Sequence, residues 1–361
     1  MSTPPFMTPG QSRARRELAA RRRRQRRLGA GALALLAAAG ALLALTLASS
    51  SRAGHRTSVR GREAAVTVTA AAPALSPAGL PLARSAFALT GLSTPALNPV
   101  HLSFASPPRA GLLFDVRTGE VLWQHAASTR RPIASLTKMM TALLAVQSGA
   151  PGEPVLVTRQ AVAEGGSKVG VLPLGRRVRL ESMLYGLMLP SGNDASVALA
   201  QHLAGSIPGF VARMNTEAAR LGLGCTRYSS PSGFYDAGNF SCAADLAVLT
   251  HVDLEQARIA RVVRTATAVL PFPIHGGKLY LVNNNPLLIY GFPGTTGMKT
   301  GYTIAAGRCL VATAERHGVR LGVVLLHSSE PATQARRLLD HAFRDVYHLP
   351  PVPEPPIPPG A

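Results

Sequence analysis

The sequence predicts an α+β fold in which an antiparallel sheet is flanked by helices. Three observations carry this. Paired apolar runs of strand length stand near the start of the patterned region and again near its end. Helical patterns fill the stretch between them. A last helical pattern, PATQARRLLDHAFRDVY at 331–347, closes the region. Strand pairs separated by a block of helices suit a layered α+β arrangement better than alternating βα units.

The elements follow in order over residues 106–348. GLLFDV and EVLWQH flank Arg117-Thr118-Gly119, a hairpin signal. Residues 135–146 place apolar side chains at helical spacing behind Pro132. Residues 180–189 and 194–203 form two helices separated by Pro190-Ser191-Gly192-Asn193. FVARMNTEAARLGL (210–223) is an amphipathic helix that ends near a glycine. RCLVATAER (308–316) and RLGVVLLHS (320–328) are strands around His317-Gly318-Val319. No internal repeat interrupts this order.

The flanks differ in composition. Residues 1–27 carry a dense basic run, RARRELAARRRRQRR, and residues 28–48 have no charge across 21 positions. A helix of about 20 apolar residues spans a bilayer core, and an Arg-rich flank stays on the cytoplasmic side. A retained anchor is therefore expected, with the remainder of the chain on the extracytoplasmic side. A cleavable signal leading to secretion or a periplasmic location is the alternative. Residues 49–105, rich in Ala, Pro, Ser and Thr, are expected to be a spacer. The tail 349–361, LPPVPEPPIPPGA, holds seven prolines and is expected to be extended.

The formal net charge is +20, a value that raises the question of nucleic acid. Thirteen Arg against two Glu in residues 1–63 account for +11 of it. Aromatic residues make up only 5%, and no RNA- or DNA-binding signature is present, so no nucleic-acid partner is expected. Cys225, Cys242 and Cys309 match no zinc or redox spacing. A Cys225–Cys242 bridge is conceivable outside the cytoplasm but is not expected. The ten His form no HExxH and no ligand cluster, so neither metal nor cofactor is expected.

Of the 38 basic residues only four are Lys: Lys138, Lys168, Lys278 and Lys299. Arginine supplies positive charge almost everywhere, yet it cannot give up a proton, whereas a desolvated lysine can. Lys138 lies in PIASLTKMM, three residues after Ser135 and on the same face of the first turn of a helix. The positive end of the helix dipole and a desolvated setting both disfavour an ammonium there. A neutral amine could take the Ser135 hydroxyl proton and activate a nucleophile that is weak at its free pKa. By itself such a pair more often marks a helix cap and a solvated lysine. Two further motifs follow in order. Ser191-Gly192-Asn193 occupies a turn between helices, and Lys299-Thr300-Gly301 opens a strand, with Gly301 letting a ligand lie against the backbone. Together they match the S-x-x-K, S-D-N and K-T-G set of serine acyl-transfer enzymes.

On these motifs, and on LLFDVRTGEVLWQHAASTRRPIASLTKMM, LESMLYGLMLPSGNDASVALA and GTTGMKTGYTIAAGRCLVATAERHGVRLGVVLL, the chain resembles the low-molecular-weight penicillin-binding proteins. These act as serine-type D-alanyl-D-alanine carboxypeptidases. The resemblance runs from about Gly111 to Tyr347. It implies the β-lactamase/DD-peptidase-like fold, with the site between the sheet and an all-helical subdomain. It implies Ser135 as nucleophile, Lys138 as base and Ser191 as proton relay. Asn193, Lys299, Thr300 and Gly301 would bind substrate, and the backbone N–H groups of Ser135 and Tyr302 would form the oxyanion hole. The implied partners are the peptidoglycan stem peptide and β-lactams, with the membrane reached through the N-terminal helix. β-Lactamase, DD-endopeptidase and a non-catalytic penicillin-binding wall protein are the alternatives; SGN in place of SDN favours the peptidase. Some members reach the substrate carboxylate with an arginine of the late helix, for which Arg336 and Arg337 are the nearby residues. Lys168, in a loop near the site, receives no role.

Overall fold

The computed structural model describes residues 87–234 and 238–353. The basic segment 1–27, the expected membrane span 28–48, the spacer up to 86 and the tail from 354 lie outside the described residues. Among the described residues no single helix is long and apolar enough to cross a membrane.

Five strands make the main sheet: β1 (Ala110–Asp115), β2 (Val121–His125), β3 (Thr295–Thr303), β4 (Gly307–Arg316) and β5 (Val319–Ser328). Their order is β2-β1-β5-β4-β3, antiparallel throughout, with Leu113 opposite Val323 and Val311 opposite both Val324 and Lys299. The two expected hairpins are present, and long-range pairing of β1 with β5 joins them. Gly119, at φ +80°, closes the first hairpin in the left-handed conformation that glycine adopts without steric cost.

Both sheet faces are covered, which explains why the strands read as nearly continuous apolar runs. Leu112, Phe114, Val311 and Val324 pack with Met139, Leu143, Leu246 and Leu249 of the helices on one face. Leu113, Ala312, Val323 and Leu325 pack with Leu338, Leu339 and Phe343 on the other. The first layer includes α1 (Lys138–Ser148) and α5 (Ala243–Glu255); the second is α7 (Pro331–His341), followed by a wider turn at Ala342–Val346. Further helices include α2 (Leu180–Met188), α3 (Asn193–Ala204), α4 (Ile207–Arg220) and α6 (Ala257–Val263), with short helical turns at Arg159–Ala163 and Pro286–Ile289. α3 stops at Gly205, at φ +70°. The chain then restarts at Ser206, whose Oγ accepts the Gly209 N–H at 3.1 Å, so α4 begins three residues before the expected start.

Two expectations need correction. Residues 87–105 are not a free spacer. The Thr90 N–H donates to Gly119, the Val100 N–H to Leu122, and the Trp123 indole N–H to the Leu102 carbonyl at 3.0 Å. This segment covers the open edge of β2, whose unpaired backbone groups need partners. The second correction is that Cys225 and Cys242 form a disulfide, with Cα atoms 5.6 Å apart. Their spacing matches no motif because the contact is made by the fold: Arg227 pairs with Phe240 and turns the intervening segment back on itself. Asp245 seals the junction by accepting the Cys225 N–H and the Thr226 hydroxyl, each at 2.7 Å.

Asp253 of α5 is fully buried, and neither carboxylate oxygen has a hydrogen-bond partner among the described residues. Burial pushes its carboxyl well above the ordinary range. The folded protein therefore holds a proton that the unfolded chain releases above about pH 4. Stability falls as pH rises from about 4 towards the folded pKa, by up to about 1.4 kcal/mol per pH unit. Asp253→Asn should abolish that slope and raise the melting temperature at pH 7, as read by thermal denaturation across pH 4–7.

Candidate active site

The nucleophile candidate sits at a break in the chain's regular geometry. Ala134 takes φ +48°, a left-handed conformation costly for a residue with a Cβ. A single 3-10 turn, Ala134–Thr137, then leads into α1 at Lys138. Ser135 thus stands on a tight turn rather than in the α-helix expected there. It remains partly exposed while its neighbours are buried.

Lys138 is 0% exposed, and its Nζ lies 2.7 Å from Ser135 Oγ. The same nitrogen donates to the Ser232 carbonyl at 2.8 Å. Burial holds the lysine pKa well below its usual value, the charge of Lys299 adds to this, and Glu164 and Asp194 oppose it. Lys299 is also fully buried, which pushes its pKa down to about 7. Two buried ammonium groups in one pocket disfavour each other, and the lowering at Lys138 draws on both burial and the Lys299 charge, whereas Lys299 is lowered by burial alone.

β3 delivers the third motif along the edge of the sheet. Lys299 lies beneath the strand, with Nζ donating to the Thr300 carbonyl at 2.9 Å. Thr300, Gly301 and Tyr302 line a cavity of about 410 Å³ together with Ser135 and Ser191. A Cβ on Gly301 would stand 3.0 Å from the Ile133 carbonyl and 3.1 Å from the Ser135 nitrogen. A side chain at this position would crowd the 3-10 turn, and Ser135 and Tyr302 both line the cavity beside it.

The helical layer delivers the second motif. Ser191 adopts φ +65° in the turn between α2 and α3, and its Oγ is buried without a partner among the described residues. Asn193 begins α3; its Nδ2 donates to the Gly165 carbonyl at 2.7 Å, and its Oδ1 is buried and unpaired among the described residues. Of the candidate residues, Ser135, Ser191, Thr300, Gly301 and Tyr302 line this one cavity; Lys138 reaches it through Ser135, Lys299 lies under Thr300, and Asn193 follows Ser191 at the start of α3. Two unpaired polar atoms, on Ser191 and Asn193, are the expected signature of groups that bind a ligand.

Four contributors escaped the sequence reading. Asp194, directly after the S-G-N motif, accepts the Val169 and Gly170 N–H groups at 2.9 and 3.1 Å, tying the 165–170 loop to the start of α3. Its position in the first turn of a helix was the available signal. The Ser232 carbonyl, which holds Lys138, is backbone and carries no residue signature. Gly233 packs beneath Ala134, where a Cβ would run into the Ala134 carbonyl, and the Thr141 hydroxyl donates to the Pro231 carbonyl at 2.7 Å. Neither late-helix arginine lines the cavity, and Arg337 lies over the Phe104 ring, 5.1 Å from its centroid. Lys168 donates to the Val162 carbonyl in the adjoining loop.

Comparison with known proteins agrees with this geometry. Residues 105–330 match the family model described as D-alanyl-D-alanine carboxypeptidase, peptidase S11. The chain is 34% identical over 247 residues to the D-alanyl-D-alanine carboxypeptidase DacF of Bacillus subtilis, covering 66% of this chain and 63% of that protein. It is 34% identical over 223 residues to DacB2 of Mycobacterium tuberculosis, covering 61% of this chain and 75% of that one. Among solved structures, the Streptomyces K15 DD-transpeptidase superposes with a TM-score of 0.62 at 29% identity, covering 67% of this chain and 99% of that chain.

Gly301→Ala should separate the close approach from overall stability. The added methyl pushes β3 away from Ser135 and would misplace the Tyr302 N–H, expected from the sequence to be an oxyanion donor. Loss of one such donor costs about a hundredfold in rate or more. Acylation of Ser135 by penicillin, followed by mass spectrometry, should slow by about that factor, while the melting temperature moves by only a few degrees.

Proposed function

The chain belongs to the D-alanyl-D-alanine carboxypeptidase family, and from that premise we propose that it is a serine carboxypeptidase removing the terminal D-alanine from peptidoglycan pentapeptides. The 2.7 Å approach of Lys138 Nζ to Ser135 Oγ, with the lysine wholly buried, is the observation that carries this reading.

Lys138, neutral in the free enzyme, accepts the Ser135 hydroxyl proton as Oγ bonds to the carbonyl carbon between the two D-alanines. Negative charge develops on the carbonyl oxygen, and the Ser135 and Tyr302 N–H groups stabilise it. The C–N bond then breaks. The departing D-alanine amine takes its proton from Lys138 by way of the Ser191 hydroxyl, leaving an acyl-enzyme on Ser135. Water attacks this ester, Lys138 again takes the proton, and the shortened peptide leaves. Asn193 aligns the substrate backbone, and Thr300 binds the end of the peptide with Lys299 beneath it. β-Lactams acylate the same serine, because their strained amide occupies the place of the scissile bond. The enzyme acts in cell-wall assembly.

The catalytic domain works on the extracytoplasmic side of the membrane, held by the apolar span at 28–48. The Arg-rich segment before that span supports this orientation. So does the Cys225–Cys242 disulfide, which persists in oxidising compartments.

Ser135→Ala should release no D-alanine from an acyl-D-Ala-D-Ala peptide and gain no mass with penicillin, whereas the wild-type protein gains one long-lived adduct. Rapid turnover of penicillin instead would identify a β-lactamase. Lys138→Arg keeps the positive charge but cannot act as a base, and should be as inactive as Ser135→Ala in the D-alanine assay. The pH profile has a defined sign. An ordinary lysine is only about 0.04% unprotonated at pH 7. Because burial lowers the Lys138 pKa, kcat/KM should already be substantial at pH 7 and should fall on acidification as Lys138 gains a proton.

A further inference from the structure

We propose that Arg308, on β4, is the permanent positive charge that receives the substrate's terminal carboxylate. This deepens the carboxypeptidase reading and rests on it. A substrate ending in D-alanine brings an anion into the cavity, and that anion needs a counter-charge at the end occupied by Thr300. Among the described residues lining the cavity, Arg308 is the one cationic side chain. Lys299 lies below the strand instead, with its Nζ turned to the Thr300 carbonyl. Its lowered pKa, about 7, leaves it a partial charge at neutral pH, whereas a guanidinium stays fully charged.

The strand register places Arg308 for this task. Arg308 stands directly opposite Tyr302 in the β3–β4 ladder, and Thr300 stands opposite Leu310. Thr300 and Arg308 are therefore diagonal neighbours on one face of the sheet, about 7–8 Å apart at the backbone and within reach of a long side chain. A register shift in the β4–β5 pairing falls between Arg308 and Leu310, beside His327 at φ +53°. Such irregularities bend a strand and re-aim its side chains. Arg308 Nη1 donates to the Ser329 carbonyl at 3.1 Å, which anchors the guanidinium at the cavity mouth. α7 contributes Pro331 to the same lining, and Arg337 is turned to Phe104. The helix thus offers no competing cation there. The planar guanidinium fork matches a carboxylate, which a point-charge ammonium does less well.

The test compares an acyl-D-Ala-D-Ala peptide with the same peptide carrying a C-terminal amide, on the full-length protein, on Arg308→Gln and on Arg308→Lys. The wild type should prefer the acid. In Arg308→Gln the acid-over-amide ratio of kcat/KM should fall about tenfold to a hundredfold, mainly through KM for the acid, as for the loss of a hydrogen bond to a charged group. Arg308→Lys should recover part of the ratio. A merely structural role would lower both substrates together and leave the ratio unchanged. An unchanged ratio in Arg308→Gln, with the wild type releasing D-alanine normally, overturns the proposal. A wild-type protein that releases neither D-alanine from the acid nor D-alaninamide from the amide overturns the carboxypeptidase reading itself.

Discussion

The structure depends on keeping one amine uncharged. Lys138 is wholly enclosed, and its Nζ stands between the Ser135 hydroxyl and the Ser232 carbonyl. A buried ammonium would need counter-charge or a full set of acceptors. The site supplies one carbonyl and one hydroxyl at bonding distance, and adds a second lysine that repels a proton. The helical layer completes the enclosure: Met139, Leu143 and their partners exclude water from one side. The same packing that stabilises the fold therefore sets the protonation state that acyl transfer requires.

Around that amine the chain accepts local strain in exchange for placement. Ala134 and Ser191 both hold left-handed backbone conformations, at φ +48° and +65°, each one costing about 1–3 kcal/mol. Both lie where a side chain must project from a turn into the cavity. Rigid elements hold them: β3 presses Gly301 against the first turn, and Asp194 ties the neighbouring loop to α3. The loop that carries the Ser232 carbonyl is held in turn by Asn239, which accepts the Ser229 N–H at 3.1 Å. The Cys225–Cys242 disulfide closes the base of that loop. A crosslink over such a span removes about 3 kcal/mol of unfolded-chain entropy.

Much of this was legible in the sequence. The strands showed because both sheet faces are buried, which makes β1, β4 and β5 plainly apolar. The site showed because two of only four lysines fall in S-x-x-K and K-T-G, where arginine could not replace them. Four things were hidden, each for a physical reason. The disulfide depends on Arg227 pairing with Phe240, a contact made by the fold and not by cysteine spacing. Residues 87–105 looked like a spacer because their polar backbone, not an apolar pattern, covers the β2 edge. The Ser232 carbonyl has no side-chain identity to read. Arg308 is a single arginine among 34, and only the β3–β4 register brings it beside Thr300.

The central claim is that Lys138 is neutral in the resting enzyme, and a direct titration decides it. With only four lysines in the chain, nuclear magnetic resonance of the protein labelled at lysine Cε and Nζ can follow each amine separately, and the Lys138→Arg protein identifies its signal by loss. The account predicts one resonance, absent from that variant, that titrates well below 10.5. A Lys138 signal that titrates near 10.5 would contradict it.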